Sequence, residues 1–137
     1  MTLRPAIAGL GSVALVALAV WYSQRPAADA SGKIDLATLA IPDLTEDQTT
    51  GKMLFDGNCA ACHGENAAGS DQGPPLVHRI YEPGHHGDMA FALAAAQGVR
   101  AHHWRFGNMP AIEGVSKEDV VQITAYVRAL QRANGIN

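Results

Sequence analysis

Only two cysteines occur among 137 residues, and they stand three positions apart. That scarcity excludes a disulfide framework and leaves no thiol for a second site. An excess of one charge is missing too: ten Lys and Arg against thirteen Asp and Glu give a formal net charge of −3. A strongly basic face is therefore absent, which removes nucleic acid as a partner and removes strong steering onto acidic docking sites. There is no internal repeat and no block of like charge, so solenoids and charged tails drop out. No alternating strand pattern competes with the helical ones, and the expected fold is all-α.

What the chain does have begins with a long apolar run. From Pro5 to Tyr22, PAIAGLGSVALVALAVWY, 18 residues carry no charge. With no polar face it does not read as a core helix; it reads as a secretory signal or a single membrane anchor. Ala28-Asp29-Ala30 offers a cleavage site before Ser31, whereas Trp21-Tyr22 resembles an interfacial aromatic anchor. Arg4 and Arg25 flank the run on both sides and do not decide orientation. The length of the run, close to the roughly 20 residues a spanning helix needs, favours the anchor. Either reading exports the rest of the chain, to the periplasmic face of the inner membrane or to the soluble periplasm. Residues 23–44 then read as a linker, Ala, Ser, Gly and Pro dominating its first part. Residues 45–137 read as the folded domain.

Three helices can be placed in that domain. Thr45 with Gln48 fits a capping box, and Gly51, Phe55 and Cys59 follow at four-residue spacing along one face. Asp88 to Gln97 is alanine-rich, and Gly98 is placed to end it. Ser116 with Asp119 makes a second cap, after which Val120, Ile123, Val127 and Leu130 form an apolar stripe with Tyr126 on its edge.

The two cysteines belong to Cys59-Ala60-Ala61-Cys62-His63. This C-x-x-C-H spacing is the attachment pattern of a covalent c-type haem: two thiols on one tight turn can each form a thioether, and the next histidine lies against the iron. A zinc site would need two more strong ligands at similar spacing, and a thiol redox pair would leave His63 unexplained. In a domain this small, one haem c would supply much of the apolar interior, and poor folding without it is expected.

From Thr45 to the C-terminus the chain resembles a small, single-haem, class I cytochrome c of bacteria. The resemblance rests on the haem motif, on Gly73-Pro74-Pro75-Leu76, on Gly107-Asn108-Met109-Pro110, and on Gly51 and Phe55 facing Ile123 and Tyr126. It implies a fold in which the N- and C-terminal helices cross over a haem-filled core. It implies that Pro74 accepts a hydrogen bond from the His63 imidazole, and that Met109 is the second axial ligand beside His63. His/Met coordination raises the potential. Met53 and Met89, inside helices, are read as packing residues.

Iron with two protein ligands has no open coordination position, so the resemblance implies a one-electron carrier and not an enzyme, with redox proteins as donor and acceptor and no small-molecule substrate. A fixed subunit of a membrane dehydrogenase or oxidase complex, or a haem enzyme or sensor with an open iron site, are the alternatives. His85-His86 and His102-His103 could supply a bis-histidine iron in place of Met109. As metal ligands on their own, adjacent side chains rarely face one ion, so these pairs read as polar loop residues near the haem edge. Trp104 and Arg105 could pack on the porphyrin and pair with a propionate, or be a core aromatic and a solvated cation.

Overall fold

The computed structural model describes residues 32–137; the apolar run, its flanking arginines and the Ala28-Asp29-Ala30 site lie outside the described residues. Among the described residues no helix is long and apolar enough to cross a membrane. The elements are α1 (Glu46–Asn58), a single-turn α2 (Ala60–His63), 3-10 turns at Glu65–Ala67 and Arg79–Tyr81, α3 (Asp88–Gln97) and α4 (Lys117–Ala133). No strand forms among them beyond one isolated bridge between Val99 and Met109. The fold is all-α, as the periodicity predicts.

Local chemistry sets the helix starts. Thr45 Oγ1 accepts from the Gln48 N–H at 3.3 Å, and the Gln48 side chain accepts from the Thr45 N–H at 3.0 Å. Ser116 and Asp119 repeat this box at α4. Hydrogen bonds from the Ser116 backbone and hydroxyl hold the Asp119 carboxyl below its ordinary value. That contribution is present above the unfolded carboxylate pKa and is lost as pH falls through the depressed one. Gly98, with φ of +74°, takes the left-handed conformation that ends α3.

α1 and α4 cross at Gly51. A Cβ built there would lie 2.0 Å from the Gln122 carbonyl oxygen, so the two backbones touch where only glycine fits. One turn on, Phe55 meets Tyr126 with ring centroids 5.7 Å apart and both side chains fully buried. Ile123, Val127 and Leu130 complete this core. Burying side chains of this size contributes about 1.5–3 kcal/mol each.

Two expectations differ from what is seen. Met53 and Met89 are 63% and 69% exposed, not packed. Met53 sits two positions from both Gly51 and Phe55, about 200° around α1, and therefore faces away from α4. The second half of the linker is laid along the domain: Leu39 is buried, the Ile34 N–H donates to the Ala68 carbonyl at 2.8 Å, and Asn134 brackets Ala40 through two hydrogen bonds. Ile34, Leu39 and Leu44, all packed on the core, recur every five residues. That interval matches neither helix nor strand, so no pattern revealed it.

The crossing yields a paired test. Gly51→Ala should destabilise the haem-loaded protein by about 1–3 kcal/mol or more, because backbone and not a mobile side chain must give way. Gly57→Ala, in the same helix with nothing within 4 Å of its Cβ position, should stabilise by about 0.5–1 kcal/mol. Thermal melts of both variants, expected on opposite sides of the parent, check this.

Candidate functional site

The last turn of α1 ends with the Cys59 N–H donating to the Phe55 carbonyl at 2.8 Å, and α2 adds one more turn through His63. Cys59 is half-buried, Cys62 exposed and His63 half-buried. Gly64, with φ of +75°, then reverses the chain; a Cβ there would lie 2.1 Å from the Gly69 carbonyl. The returning loop is tied down by Gly69 N–H to His63 O at 2.7 Å and Leu76 N–H to Ala67 O at 2.8 Å. It carries the Pro74 carbonyl to 2.8 Å from His63 Nδ1. A carbonyl can only accept, so Nδ1 holds the proton and Nε2 keeps its lone pair. Burial pulls the His63 pKa below 6.5, with the Pro74 bond opposing in part. Burial, and secondarily Cys62, pushes the Cys59 thiol up to about 11. Near neutral pH this region thus presents an uncharged Cys59 thiol and a neutral imidazole.

Cys59, His63 and Pro74 line a cavity of about 360 Å³. α3 and α4 supply apolar walls, including Phe91, Leu93 and Ile123. Eight of the ten α3 residues are apolar, yet none is buried against protein, because Ala90, Phe91, Ala94 and Ala95 face the cavity. Met109 lies on the lining too, held by its backbone. Val99 and Met109 exchange two hydrogen bonds of 2.9 and 3.0 Å, and the Ile112 N–H donates to Ala95 O at 2.8 Å. Gly98 permits this approach, since a Cβ there would stand 2.5 Å from the Met109 carbonyl. The five residues singled out from sequence, Cys59, Cys62, His63, Pro74 and Met109, are thus in one region, four on the cavity lining and Cys62 beside it.

Trp104 also lines the cavity, half-buried, edge-on to His78 at 5.1 Å, while Arg105 is exposed. The Trp104 Nε1 is buried and makes no hydrogen bond of proper geometry; burial pushes the neighbouring Tyr81 hydroxyl up to about 12, and the indole opposes that only in part. That weak contact does not satisfy the donor, so a group filling the cavity should offer it an acceptor. It should otherwise be apolar, should take up two thiols and should accept a lone pair from a neutral imidazole. Haem c, with an apolar macrocycle, vinyl groups, iron and carboxylates, fits each requirement.

Residues that sequence reasoning missed brace the rim. Arg128 on α4 is buried and donates to the Tyr81 and His86 carbonyls, to Gln131 Oε1 and, at 2.8 Å, to Asp88. The Phe91 ring lies against its guanidinium, 4.9 Å from centroid to carbon. Gln131, fully buried, donates to Leu76 O and Tyr81 O. Thr124, Arg128 and Gln131 are spaced four and three, a polar stripe beside the apolar one; that interruption was the available signal. Tyr126 donates to Asn66 Oδ1 at 3.0 Å, tying the loop after the motif to α4.

The outer histidine pairs meet. Ring centroids of His85, His86, His102 and His103 lie 4.2–5.9 Å apart in five contacts. His86, His102 and His103 line the cavity as well. Slight burial, then the three neighbouring imidazoles, lowers the His103 pKa.

Against known families, the family model described as cytochrome c matches residues 48–131, the span from the first turn of α1 to nearly the end of α4. No curated protein matches the chain.

Arg128→Met keeps the volume of the side chain and removes every donor, leaving the His86 carbonyl and Gln131 Oε1 without their partner while Tyr81 O keeps the Gln131 donor. A loss of about 3 kcal/mol is expected, on the order of one to three per abandoned group. Arg128→Lys should destabilise in the same direction by less, because a point charge cannot span partners arranged around a planar fork. Denaturant unfolding of the haem-loaded variants measures both; an unchanged midpoint in Arg128→Met would remove the bracing role.

Proposed function

The chain belongs to the cytochrome c family, and from that premise we propose that it is a one-electron carrier with a single covalent haem c, anchored at the periplasmic face of the inner membrane and serving a respiratory chain. The observation that carries the reading is the convergence of Cys59, His63 and Met109 on one apolar cavity, with the His63 tautomer set by Pro74.

When bound, haem c supplies a ferric–ferrous couple. The residues of the chain then divide the remaining tasks. Cys59 and Cys62 would hold the macrocycle covalently. Pro74 keeps the His63 proton on Nδ1, which leaves Nε2 as the lone-pair donor that iron would take. Met109, brought in on a loop locked to the end of α3, would offer a soft thioether, a donor that favours ferrous iron and raises the potential. The Trp104 indole N–H would be available to a carboxylate of the group. The walls from α3 and α4 exclude water, so little solvent reorganises when the charge of the site changes. Iron held by both His63 and Met109 would keep no open position for bond chemistry on a substrate. Electron donor and acceptor are redox proteins, and the membrane is engaged through residues 1–22.

Haem staining on a denaturing gel, after expression with a haem-attachment system, tests the premise. The native chain should stain and the Cys59→Ala, Cys62→Ala double variant should not. Met109→Ala should lose the near-infrared band of sulfur-to-ferric coordination, lower the potential and open the iron to carbon monoxide. Met53→Leu and Met89→Leu, on exposed helix faces, should change none of these. A native spectrum and potential in Met109→Ala would move the second axial ligand to His85, His86, His102 or His103.

Topology has its own measurement. The mature chain should begin near its encoded N-terminus and stay with membranes after a high-salt wash. A soluble form starting at Ser31 by mass spectrometry would assign residues 1–22 to a cleaved signal instead.

A further inference from the structure

The loop after Arg79–Tyr81 and the loop after Val99 each carry a histidine pair, and the fold sets the pairs against one another at the rim of the cavity. One ring nitrogen from each of His85, His86 and His103 lies within 4.8 Å of the other two. We propose that these three imidazoles form a second metal site, separate from the haem, for a divalent first-row ion of the zinc and copper class.

The donor set argues for that class. Three neutral imidazoles with no carboxylate suit Zn(II) and Cu(II) and are poor hosts for Ca(II) or Mg(II), which require oxygen. With bonds of about 2.0–2.1 Å, tetrahedral donors stand about 3.3 Å apart. The histidines therefore need to close by at most about 1.5 Å, which the exposed His85 and His103 rings on their loops can do by rotation. His85 and His103 are exposed and His86 is half-buried, leaving a fourth position open to water or to His102.

The tautomers are already set on two of the three ligands. His85 Nδ1 and His86 Nδ1 both lie on the Ile80 carbonyl, at 2.8 and 2.6 Å. Since that oxygen only accepts, Nδ1 carries a proton in both rings, and in the neutral tautomer so selected Nε2 is the nitrogen that offers its lone pair to metal. A backbone carbonyl behind a ligating imidazole is the usual outer partner in histidine metal sites. The turn itself is braced from behind: the His85 and His86 N–H groups donate to Glu82 O, and the His86 carbonyl accepts from buried Arg128. On the other loop, the Ala101 N–H donates to Asn108 Oδ1 and His102 Nδ1 lies 2.8 Å from Arg100 O. Two braced backbones thus present the three rings to one another. An ion bound there clips the turn after Tyr81 to the loop after Val99.

The site stands on its own geometry and not on the electron-carrier reading. Its test uses the full-length, haem-loaded chain, stripped with a chelator and titrated with Zn(II) by calorimetry and with Cu(II) by electron paramagnetic resonance. One ion per chain should bind, with nitrogen hyperfine structure in the Cu(II) signal. His85→Asn and His103→Asn, both at exposed positions, should each weaken binding by about tenfold or more, at least the effect of losing an outer partner. The haem absorption spectrum should stay that of the parent in His85→Asn, whose ring is off the cavity lining, which separates this site from the iron. Absence of saturable binding at one equivalent, affinity unchanged in both variants, or loss of the parent haem spectrum in His85→Asn, would overturn the proposal. Haem staining of the same samples reports separately on the carrier reading.

Discussion

The backbone contact between Gly51 and Gln122 is the constraint on which the rest depends. It fixes how close α1 comes to α4, and one turn later it sets the Phe55 ring against Tyr126 at a tilt. Another turn brings Cys59 to the wall of the cavity, and His63 follows on α2. α4 meanwhile sends Val120 and Ile123 into the same cavity from the other side. A side chain at position 51 would push the helices apart and carry the attachment turn away from the wall it faces. A geometric demand at one glycine, far from the reactive atoms in the chain, therefore sets the position of the thiols and the imidazole.

The cavity explains a helix that the protein alone does not. α3 is apolar over most of its length, yet none of its residues is fully buried and only Phe91 packs on the protein core. A segment of that composition needs an apolar partner, and α4 offers only limited contact to it. The partner is the contents of the cavity, which must also meet the unsatisfied Trp104 indole. Helix, indole, thiols and oriented imidazole each demand a different feature of the filler. A large apolar macrocycle with iron and carboxylates meets all four, whereas a zinc ion would meet only two.

Much of this was legible along the chain, for reasons that differ from one element to the next. Thr45 with Gln48 and Ser116 with Asp119 announced their helices because capping acts over three residues, entirely within local sequence. Gly98 announced the end of α3 the same way. The attachment motif is equally local. The approach of Pro74 to His63 was reached through resemblance, since they stand 11 positions apart across a loop with only one 3-10 turn, and no periodic rule spans such a loop. Arg128 and Gln131 stayed hidden behind the apolar stripe at Val120, Ile123, Val127 and Leu130, which by itself accounts for α4 as an amphipathic helix. The meeting of the histidine pairs is a tertiary fact: His85 and His102 stand 17 positions apart, and adjacency along the chain said only that each pair shares a loop. Ile34 and Leu39 were missed because their spacing obeys no secondary-structure period.

The polar stripe on α4 shows why a small domain keeps charge inside. Burying a guanidinium is costly, and an apolar side chain of the same size would pack at less expense in desolvation. Such a side chain would hold one surface against another without fixing register. Arg128 instead offers directed donors, and the carbonyls that receive them belong to Tyr81 and His86, on the loop between the attachment region and α3. Loops of this kind have few apolar residues with which to specify their place, so directional bonds must do so. The stripe thereby transmits the rigidity of the crossed helices outward to the rim, where Ile80 in turn orients His85 and His86. The chain of causes runs from Gly51 through α4 to Arg128 and ends on two imidazoles, each step a contact that the next one requires.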